Sequence, residues 1–425
     1  MEINGTLSLH EADFLLSERG KFAKDTTLLE TLHEIEGDVR NTGDDALLHY
    51  TKKFDGVELT SLFATPEEIN NAQIDEELES AITIAYNNIY KFHKSQYDSL
   101  QNQSKIETTD GVFCWRKFTP IEKVGLYVPA GSAPLFSTVL MTAVPAQIAG
   151  CKDITLATPP QTDGTIHPAI LFTAKLCGIK NILKVGGAQA IFALAYGTKS
   201  IPKVYKIFGP GNKFVDGAKQ MVQNTVAIDM PAGPSEVMIV CDDKSCPKAV
   251  ASDALSQLEH DPTSSAIVIC NSQKTIEEVN REIIARITKA PRHLIIEQSI
   301  KNYYTIIADN LNNAIPLINE YAPEHLILNM QEYQRFVENI VNAGSVFLGK
   351  YSAESIGDYA SGTNHTLPTS GFAKSFSGLS VEAFGKFITF QEVSYDGFQN
   401  ISNAVQTMSE QEGLFEHANA IVARR

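Results

Sequence analysis

Short β-rich runs alternate with helical runs from about residue 120 onward, and this alternation limits the possible folds more than any other feature of the chain. Because repeated strand–helix units build a parallel sheet with helices on both faces, we predict such a sheet here. Helical periodicity separates five β-rich runs, which cover residues 123–128, 153–158, 181–185, 204–208 and 225–229.

A second series of β-rich runs follows, again with helical periodicity between the runs. The first hundred residues and the tail from about residue 397 have amphipathic, helical spacing instead. The predicted fold class is therefore α/β, with two doubly wound, incomplete Rossmann-like parallel-sheet domains and helical N- and C-terminal extensions. The runs of the second series cover residues 236–241, 264–270, 325–329 and 344–347.

The same pattern predicts three units along the chain. Residues 121–237 form a self-contained α/β domain that is inserted into another one. This other α/β domain comprises residues 1–120, with a helical N-terminal part, plus residues 238–378. Residues 379–425 form a helical C-terminal extension.

The composition argues against several classes of protein. Apolar residues make up 43% of the chain and charged residues 20%, which is typical of a globular protein. The net charge of -15 argues against a surface that binds nucleic-acid phosphates. The longest apolar stretch, residues 139–150, is too short to span a bilayer, and we find no secretory signal pattern. Since the six cysteines form no CxxC pair, we expect reduced thiols and a cytoplasmic location.

Two segments carry residue types suited to metal binding or proton transfer. Gln257 and His260, three apart near a predicted helix end, can offer an oxygen and an imidazole nitrogen to one metal ion, although such residues are more often only solvated. Pro323 ends the preceding helix, so Glu324 and His325 lie at the start of an apolar strand. An adjacent carboxylate and imidazole can divide proton-transfer work, and an exposed loop pair is the alternative.

Two further features are less specific. Asp358 and His365 lie within one polar, glycine-containing loop, and such loops are either functional or disordered. Glu412 and His417 lie five apart on a helical pattern near the C-terminus, where a histidine is usually incidental.

A glycine-rich run at residues 208–213 follows a predicted strand and opens a helix, the context in which backbone amides hold phosphate. The run lacks the third glycine of the dinucleotide fingerprint. Asp229, about twenty residues after Gly209, has the place of a ribose-binding acid. Residues 186–189 have the same strand–turn–helix placement, so we predict a degenerate nucleotide-binding pattern.

Seven stretches resemble sequence motifs of the histidinol dehydrogenase family, and they occur in the same order. The similarity covers nearly the whole chain, and seven ordered motifs are a specific signal. The stretches are VGLYVPAG (124–131), VGGAQA (185–190), FGPGN (208–212), MPAGPSE (230–236), QLEH (257–260), YAPEH (321–325) and GDY (357–359).

This resemblance implies an activity and its cofactors. It implies the zinc-dependent, four-electron oxidation of L-histidinol to L-histidine through histidinal with two NAD+, which is the last step of histidine biosynthesis. We therefore expect one Zn2+ per subunit, NAD+ binding in the 121–237 domain, and a homodimer with interlocked subunits. The family's zinc ligands fall on Gln257, His260, Asp358 and His417.

The resemblance also implies roles for further residues. The family's pair of base and water activator falls on Glu324 and His325. His325 suits removal of the alcohol proton, because an imidazole titrates near neutrality, and Glu324 suits activation of the water that attacks the aldehyde. The NAD contacts fall on Tyr127, Gln189 and Asn212. The substrate contacts fall on Ser235, Gln257, His260, His325, Asp358, His365, Glu412 and His417.

Three alternative functions remain open. A zinc hydrolase could use Glu324 as the base of a metal-activated water, but it does not need the glycine–turn–helix units. A related NAD-dependent four-electron dehydrogenase of another small alcohol would share the motifs, whereas Glu412 and His365 favour histidinol. A non-enzymatic binding module would not need the Glu–His pair.

Overall fold

The computed structural model describes residues 3–17, 26–101, 103–130, 133–231 and 233–425, here called the described residues. Gly131 and Ala232, which belong to two of the motif stretches, lie outside them, as do residues 18–25 of the predicted helical N-terminal part. Among the described residues, no helix combines the length and the apolar character needed to cross a membrane.

A six-stranded sheet, called sheet 1, has parallel neighbours throughout. Its strands, in order across the sheet, are β1 (Thr6–Ser8), β11 (Tyr303–Ile307), β10 (Ser265–Cys270), β9 (Glu236–Cys241), β12 (His325–Asn329) and β13 (Ser345–Leu348). The sequence predicts the last four of these. β1 is too short for a clear pattern, and the apolar run of β11 lies inside a stretch that we interpreted as helical.

A five-stranded parallel sheet, called sheet 2, comes from the middle of the chain. Its strands, in order across the sheet, are β6 (Asn181–Leu183), β5 (Asp153–Ala157), β4 (Lys123–Tyr127), β7 (Lys206–Phe208) and β8 (Ala227–Ile228). The chain adds β5 and β6 on one side of β4 and then crosses back to add β7 on the other side. In sheets with such a reversal, ligands usually bind in a crevice beyond the carboxyl ends of the two strands on either side of it, here β4 and β7.

Both parallel sheets are covered by helices on both faces. In β9, Val237 and Ile239 belong to one buried cluster, while Met238 and Val240 belong to the cluster on the opposite face. Successive strand residues point to opposite faces, so a strand buried on both sides is apolar throughout. The predicted α/β class with two parallel sheets is confirmed.

The helices fall into four groups along the chain. The N-terminal group is α1 (Phe14–Ser17), α2 (Thr26–Thr42), α3 (Asp44–Asp55), α4 (Pro66–Asn70) and α5 (Glu76–Gln101). The helices around sheet 2 are α6 (Phe136–Ala149), α7 (Pro168–Leu176), α8 (Gly187–Tyr196) and α9 (Lys213–Met221). Those around sheet 1 are α10 (Pro247–Leu258), α11 (Gln273–Ile287), α12 (His293–Ser299), α13 (Ile315–Tyr321), α14 (Gln334–Val337) and α15 (Glu354–Tyr359). The C-terminal pair is α16 (Tyr395–Gln411) and α17 (Phe415–Val422).

Most of the N-terminal helices pack against the sheet 2 region. Leu32 and Ile35 of α2 share a buried cluster with Ile191 of α8, and Ile89 of α5 shares another with Leu140 of α6. Our sequence prediction placed residues 1–120 with the other domain, and among these residues β1 does join sheet 1. The helices of this segment pack against the sheet 2 region instead, because their apolar faces cover α6 and α8. Sequence periodicity shows that a helix has an apolar face but not which element this face contacts. The exact domain limits stay a prediction.

A third, antiparallel sheet was not predicted. It pairs β3 (Val112–Pro120) with β2 (Ile106–Thr109) on one side and with β14 (Gly385–Val393) on the other. The predicted helical extension, residues 379–425, therefore contains the helices α16 and α17 but also this strand, which precedes them. The sequence of β14, GKFITFQEV, is rich in aromatic and β-branched residues, which was the signal for a strand.

Candidate functional site

The predicted Glu–His pair lies at the amino edge of sheet 1. His325 is the first residue of β12, and Glu236 is the first residue of the neighbouring β9. Helix α13 ends at Tyr321, and the positive φ of Ala322, 51°, turns the chain before Pro323, so that Glu324 directly precedes the strand that His325 begins. The sequence predicted this position at the start of an apolar strand, although ligands of open parallel sheets more often bind at the carboxyl edge.

His325 is a buried imidazole, with 4% of its surface exposed. Its Nδ1 lies 3.3 Å from the backbone carbonyl oxygen of Glu236, to which it donates, so the lone pair is on Nε2. Nε2 is buried without a hydrogen-bond partner among the described residues and lies 3.7 Å from Oδ1 of Asp358. Burial lowers the pKa of His325 to about 3, whereas we expected a value near neutrality. The ring is therefore neutral at physiological pH with its Nε2 lone pair available, and it is a weaker base than the near-neutral imidazole that the sequence led us to expect.

Glu324 is also buried, and it contacts the same backbone segment. Its Oε2 accepts a hydrogen bond of 2.9 Å from the backbone N–H of Glu236 and lies 3.6 Å from Nδ1 of His325. Burial raises the pKa of Glu324 well above its usual value, although the hydrogen bond from Glu236 lowers it. A carboxylate with a raised pKa is a stronger acceptor for a proton of water.

Two acids of α15 complete this cluster. Glu354 and Asp358 lie four residues apart, so they project from one face of the helix. Ligand atoms of His325, Glu354 and Asp358 all lie within 4.8 Å of one another, which is close enough for one metal ion. Burial raises the pKa of Asp358 to about 7. Because α15 contains Asp358, this residue lies in a helix and not in the loop that the sequence predicted.

Gln257 and His260 approach the cluster from the end of α10. The helix ends at Leu258, and the backbone N–H of His260 donates to the carbonyl oxygen of Gln257 at 3.2 Å, which extends the turn. Gln257 is fully buried. His260 is exposed, yet it is near enough to contribute to the lowered pKa of His325. Gln257 and His260 therefore do not share a face within one helix: Gln257 lies in the last turn of α10 and His260 in the turn that follows.

His365 joins this site to the sheet 2 region. Its Nδ1 donates to the backbone carbonyl oxygen of Asp358 at 3.0 Å, which leaves Nε2 as the acceptor for the Thr138 hydroxyl at 3.3 Å. Thr138 lies in the first turn of α6, just beyond β4. Burial lowers the pKa of His365 to about 4. Ser235, half-buried, immediately precedes Glu236 in the same region.

The structure leaves two predicted site residues outside this cluster. Glu412 follows α16, and His417 lies on α17; both are exposed. The positive φ of Gly413, 75°, turns the chain between the two helices. A single chain thus brings together Gln257, Asp358, Glu324, His325 and His365, with His260 beside them.

The predicted NAD contacts lie at the carboxyl edge of sheet 2. Tyr127 ends β4, and its hydroxyl accepts the backbone N–H of Gly187 at 3.0 Å. Gln189 lies in the first turn of α8, and its buried side-chain oxygen has no partner among the described residues. Asn212 caps α9 through two backbone N–H groups. A Cβ atom at Gly209 would lie 2.0 Å from the carbonyl oxygen of Tyr127, so only glycine permits this approach of β7 to β4.

Asp229, the candidate ribose-binding acid, has a structural role instead. Its carboxylate lies 2.5 Å from Nζ of Lys219 and accepts the backbone N–H of Gly209 at 2.8 Å. Only 1% of its side chain is exposed. Because both oxygens are engaged inside the protein, Asp229 cannot contact a ribose, and that part of the prediction is wrong.

Comparison with known proteins decides the family. A family model described as histidinol dehydrogenase matches residues 18–425. The chain belongs to the histidinol dehydrogenase family. As a member, it is an oxidoreductase that acts on a CH–OH group.

Individual members of the histidinol dehydrogenase family are similar over almost the whole length. The histidinol dehydrogenase of Bacteroides thetaiotaomicron is 52% identical over 401 residues, which cover 94% of this chain and 93% of that protein. The chloroplastic histidinol dehydrogenase of Arabidopsis thaliana is 44% identical and covers 94% of this chain and 86% of its own. The crystal structure of histidinol dehydrogenase from Elizabethkingia anophelis superposes with a TM-score of 0.93 at 48% identity, covering 99% of this chain and 96% of that one.

Three buried acids of this histidinol dehydrogenase family member were not singled out from the sequence. Glu236 and Glu354 contact the Glu–His pair, and Asp253 lies one turn before Gln257 on α10. A sequence signal existed, because acids or amides four residues apart on one helix share a face. The pairs 253/257 and 354/358 both have this spacing.

Proposed function

We propose that the protein oxidises L-histidinol to L-histidine through histidinal, with two NAD+ as hydride acceptors and one zinc ion per subunit, as the last step of histidine biosynthesis. The observation that carries this proposal is the buried Nε2 of His325, which has no hydrogen-bond partner among the described residues and whose ring lies beside the carboxylate of Glu324. A four-electron oxidation needs a base for the alcohol and a base for water, and this pair offers both. The six cysteines, all free, are consistent with a reducing, cytoplasmic compartment.

The donor set of the cluster fits zinc. Asp358 offers a carboxylate oxygen within the group of residues close enough for one metal ion, and Gln257 and His260, beside that group, offer an amide oxygen and an imidazole nitrogen, a combination that zinc accepts. The crowding of Asp358 and the two glutamates, whose pKa values are raised, is relieved by a cation. These residues would hold zinc together with His417. Bound zinc would orient the amino alcohol for hydride transfer.

Replacing His260 with asparagine tests this ligand set. The variant is expected to lose zinc and turnover while keeping its fold, because the exposed imidazole supports no core packing. Zinc content by elemental analysis and the melting temperature are the measurements. Substitution of His293, which lies on α12 and not in the cluster, with asparagine is the control and should keep full zinc. Unchanged zinc content in the His260→Asn protein would refute the assignment.

The pH dependence of zinc binding is a second test. Burial raises the pKa of Asp358 to about 7, so below that pH a proton must leave before zinc binds. The apparent zinc affinity should therefore rise with pH between 5.5 and 7, by up to about tenfold per pH unit for each proton displaced, and level off above. Competition titrations with a chelator measure this slope. A flat affinity across that range would contradict protonation of the empty site.

In this proposal, a second copy of the chain supplies the fourth zinc ligand, His417, and the substrate contact Glu412. Residues 385–425, here called the C-terminal arm, expose a large apolar surface, which is typical of a protein interface. His417 lies on this arm, away from its own chain's buried cluster. We therefore propose a homodimer in which each arm completes the partner's site. The exposed apolar side chains are Ile388, Phe390, Val393, Tyr395, Val405, Met408, Leu414, Phe415 and Val422.

Mixing two inactive variants tests the shared site. In a dimer of one His260→Asn chain and one His417→Asn chain, one site has both substitutions and the other has neither. Co-expression should therefore recover about a quarter of wild-type activity, since half of randomly paired dimers are mixed. Mixed dimers that form but stay inactive would show that His417 serves its own chain.

The chain's own residues account for the proton transfers. Nε2 of His325 takes the alcohol proton, and the carboxylate of Glu324 takes a proton from the water that adds to the aldehyde. NAD+ would bind in the crevice beyond β4 and β7, with contacts to Tyr127, Gln189 and Asn212. Ser235 and His365 would contact histidinol, together with Glu412 of the arm.

Substrate and cofactor tests separate this proposal from its alternatives. Purified protein with zinc and NAD+ should produce NADH from L-histidinol, followed at 340 nm, a standard wavelength for NADH. A small amino alcohol without an imidazole is the control and should give little NADH. Preference for that control would indicate the related dehydrogenase of another alcohol. Absence of NADH from either compound, with zinc bound, would favour the zinc hydrolase.

A further inference from the structure

Glu354 is a buried acid to which the proposed reaction assigns no role. It is the first residue of α15, and only 1% of its surface is exposed. Its Oε1 lies 3.7 Å from Nδ1 of His325, but that nitrogen is nearer to the carbonyl oxygen of Glu236, at 3.3 Å. The stronger contact of Glu354 is therefore on its other side, with Gln257.

The amide of Gln257 has one orientation that satisfies both of its ends. In this orientation its nitrogen donates to both carboxylate oxygens of Glu354, at 3.2 Å to Oε2 and closer to Oε1, and its oxygen accepts the backbone N–H of Glu236 at 3.1 Å. The reverse orientation would place the amide oxygen against the Glu354 carboxylate and the amide nitrogen, a donor, against the backbone N–H of Glu236, so that two donors would face each other. Glu354 thus fixes the orientation of this fully buried amide, with the nitrogen on Glu354 and the oxygen on the backbone N–H of Glu236, which also donates to Oε2 of Glu324 at 2.9 Å.

The selected orientation matters for metal binding. An amide oxygen has two lone pairs, and the N–H of Glu236 uses one of them, so the other remains for a cation. An amide nitrogen has no lone pair to offer, and a reversed Gln257 would present N–H groups to the cation instead. We infer that Glu354 is a positioning residue that holds the Gln257 amide with its oxygen towards zinc. This inference rests on the proposed function.

Removal of the Glu354 carboxylate, which accepts the N–H of Gln257, is expected to weaken zinc binding. The effect should be measurable in the absence of substrate and NAD+. Partners of metal ligands typically contribute about 10–100-fold to metal affinity. The Glu354→Ala protein, prepared as the full chain, stripped of zinc and then titrated with zinc in competition with a chelator, should therefore bind zinc about 10–100-fold more weakly than wild type. The Glu354→Gln protein should stay within about threefold, because a carboxamide oxygen can still accept the N–H of Gln257.

Asp253 supplies a matched control. It is also a buried acid, lies on α10 four residues before Gln257, and has no side-chain hydrogen bond among the described residues. The Asp253→Asn protein loses a nearby buried carboxylate but no contact to the amide of Gln257. Its zinc affinity should therefore stay within about threefold of wild type, far less than the loss at Glu354. A loss equal to that of Glu354→Ala would assign the effect to buried charge and overturn the inference.

A double-mutant cycle shows whether Glu354 acts through Gln257. In a Gln257→Ala protein there is no amide to orient, so adding Glu354→Ala should change zinc affinity by less than about twofold. The same additional loss in both backgrounds would overturn the inference, as would equal losses for Glu354→Gln and Glu354→Ala. If wild type and Gln257→Ala bound zinc equally, the proposed metal site itself would fail. If Gln257→Ala weakened binding and Glu354→Ala did not, only the positioning role would fail.

Discussion

Replacing His325 with asparagine is expected to slow histidinol oxidation by about 10²–10⁴-fold, the usual contribution of a positioned general base. Asparagine can still donate to the backbone carbonyl oxygen of Glu236, as Nδ1 does at 3.3 Å, but it has no group in place of Nε2. The experiment measures kcat for NADH formation from histidinol at saturating NAD+. Zinc content and melting temperature should stay close to wild type, because the imidazole is not in the proposed ligand set.

The pH dependence of histidinol oxidation is a second test of the role of His325. Because burial lowers its pKa to about 3, the neutral form that accepts a proton persists as the pH falls and is lost only near pH 3. The wild-type rate on histidinol should therefore show no loss of this base near pH 6.5, the ordinary pKa of histidine. Retention of histidinol oxidation within threefold of wild type by His325→Asn would remove this residue from the role of base.

Replacing Glu324 with glutamine should impair the oxidation of histidinal more than the oxidation of histidinol. Glutamine keeps the shape of the side chain and an oxygen to accept the N–H of Glu236, a bond of 2.9 Å in this structure, but it cannot take a proton from water. Oxidation of histidinal is therefore expected to fall by about 10²–10⁴-fold, and oxidation of histidinol by much less. NADH formation from each substrate, supplied separately, is the measurement.

The two variants serve as controls for each other. His325→Asn should impair the alcohol step more, and Glu324→Gln the aldehyde step more, so a general defect in folding or NAD+ binding cannot produce both patterns. Equal losses on both substrates for Glu324→Gln would mean that Glu324 serves both steps or only holds His325. The division of proton-transfer work between the two residues would then have to be dropped.

The parallel sheets could be predicted because each strand is apolar on both faces and each is followed by a helical run. The run 236–241 became β9 and the run 325–329 became β12 with the predicted bounds. β14 was missed, although its composition favours a strand, because the helical tail after residue 397 dominated our interpretation. Its pairing partner β3 lies some 270 residues earlier, and such long-range pairing leaves no local signal.

The site was predictable in residue identity but not in arrangement. The family resemblance assigned Gln257, Glu324, His325 and Asp358 to one site, and the structure brings these side chains together from α10, β12 and α15. Burial determines the protonation states and the roles of these side chains. It lowers the pKa of His325 far below neutrality, and it converts Asp229 from a candidate ribose ligand into the buried partner of Lys219. Neither outcome follows from spacing, because both depend on which side chains the fold encloses.

The central claim is that one site removes four electrons from one histidinol molecule. The most direct test is the end-point stoichiometry with a limiting, weighed amount of L-histidinol, excess NAD+ and the zinc-loaded protein. We predict two NADH per histidinol, with histidine as the product and no accumulated aldehyde. One NADH per histidinol with histidinal left in solution would contradict this account, because the second oxidation would then not belong to this protein.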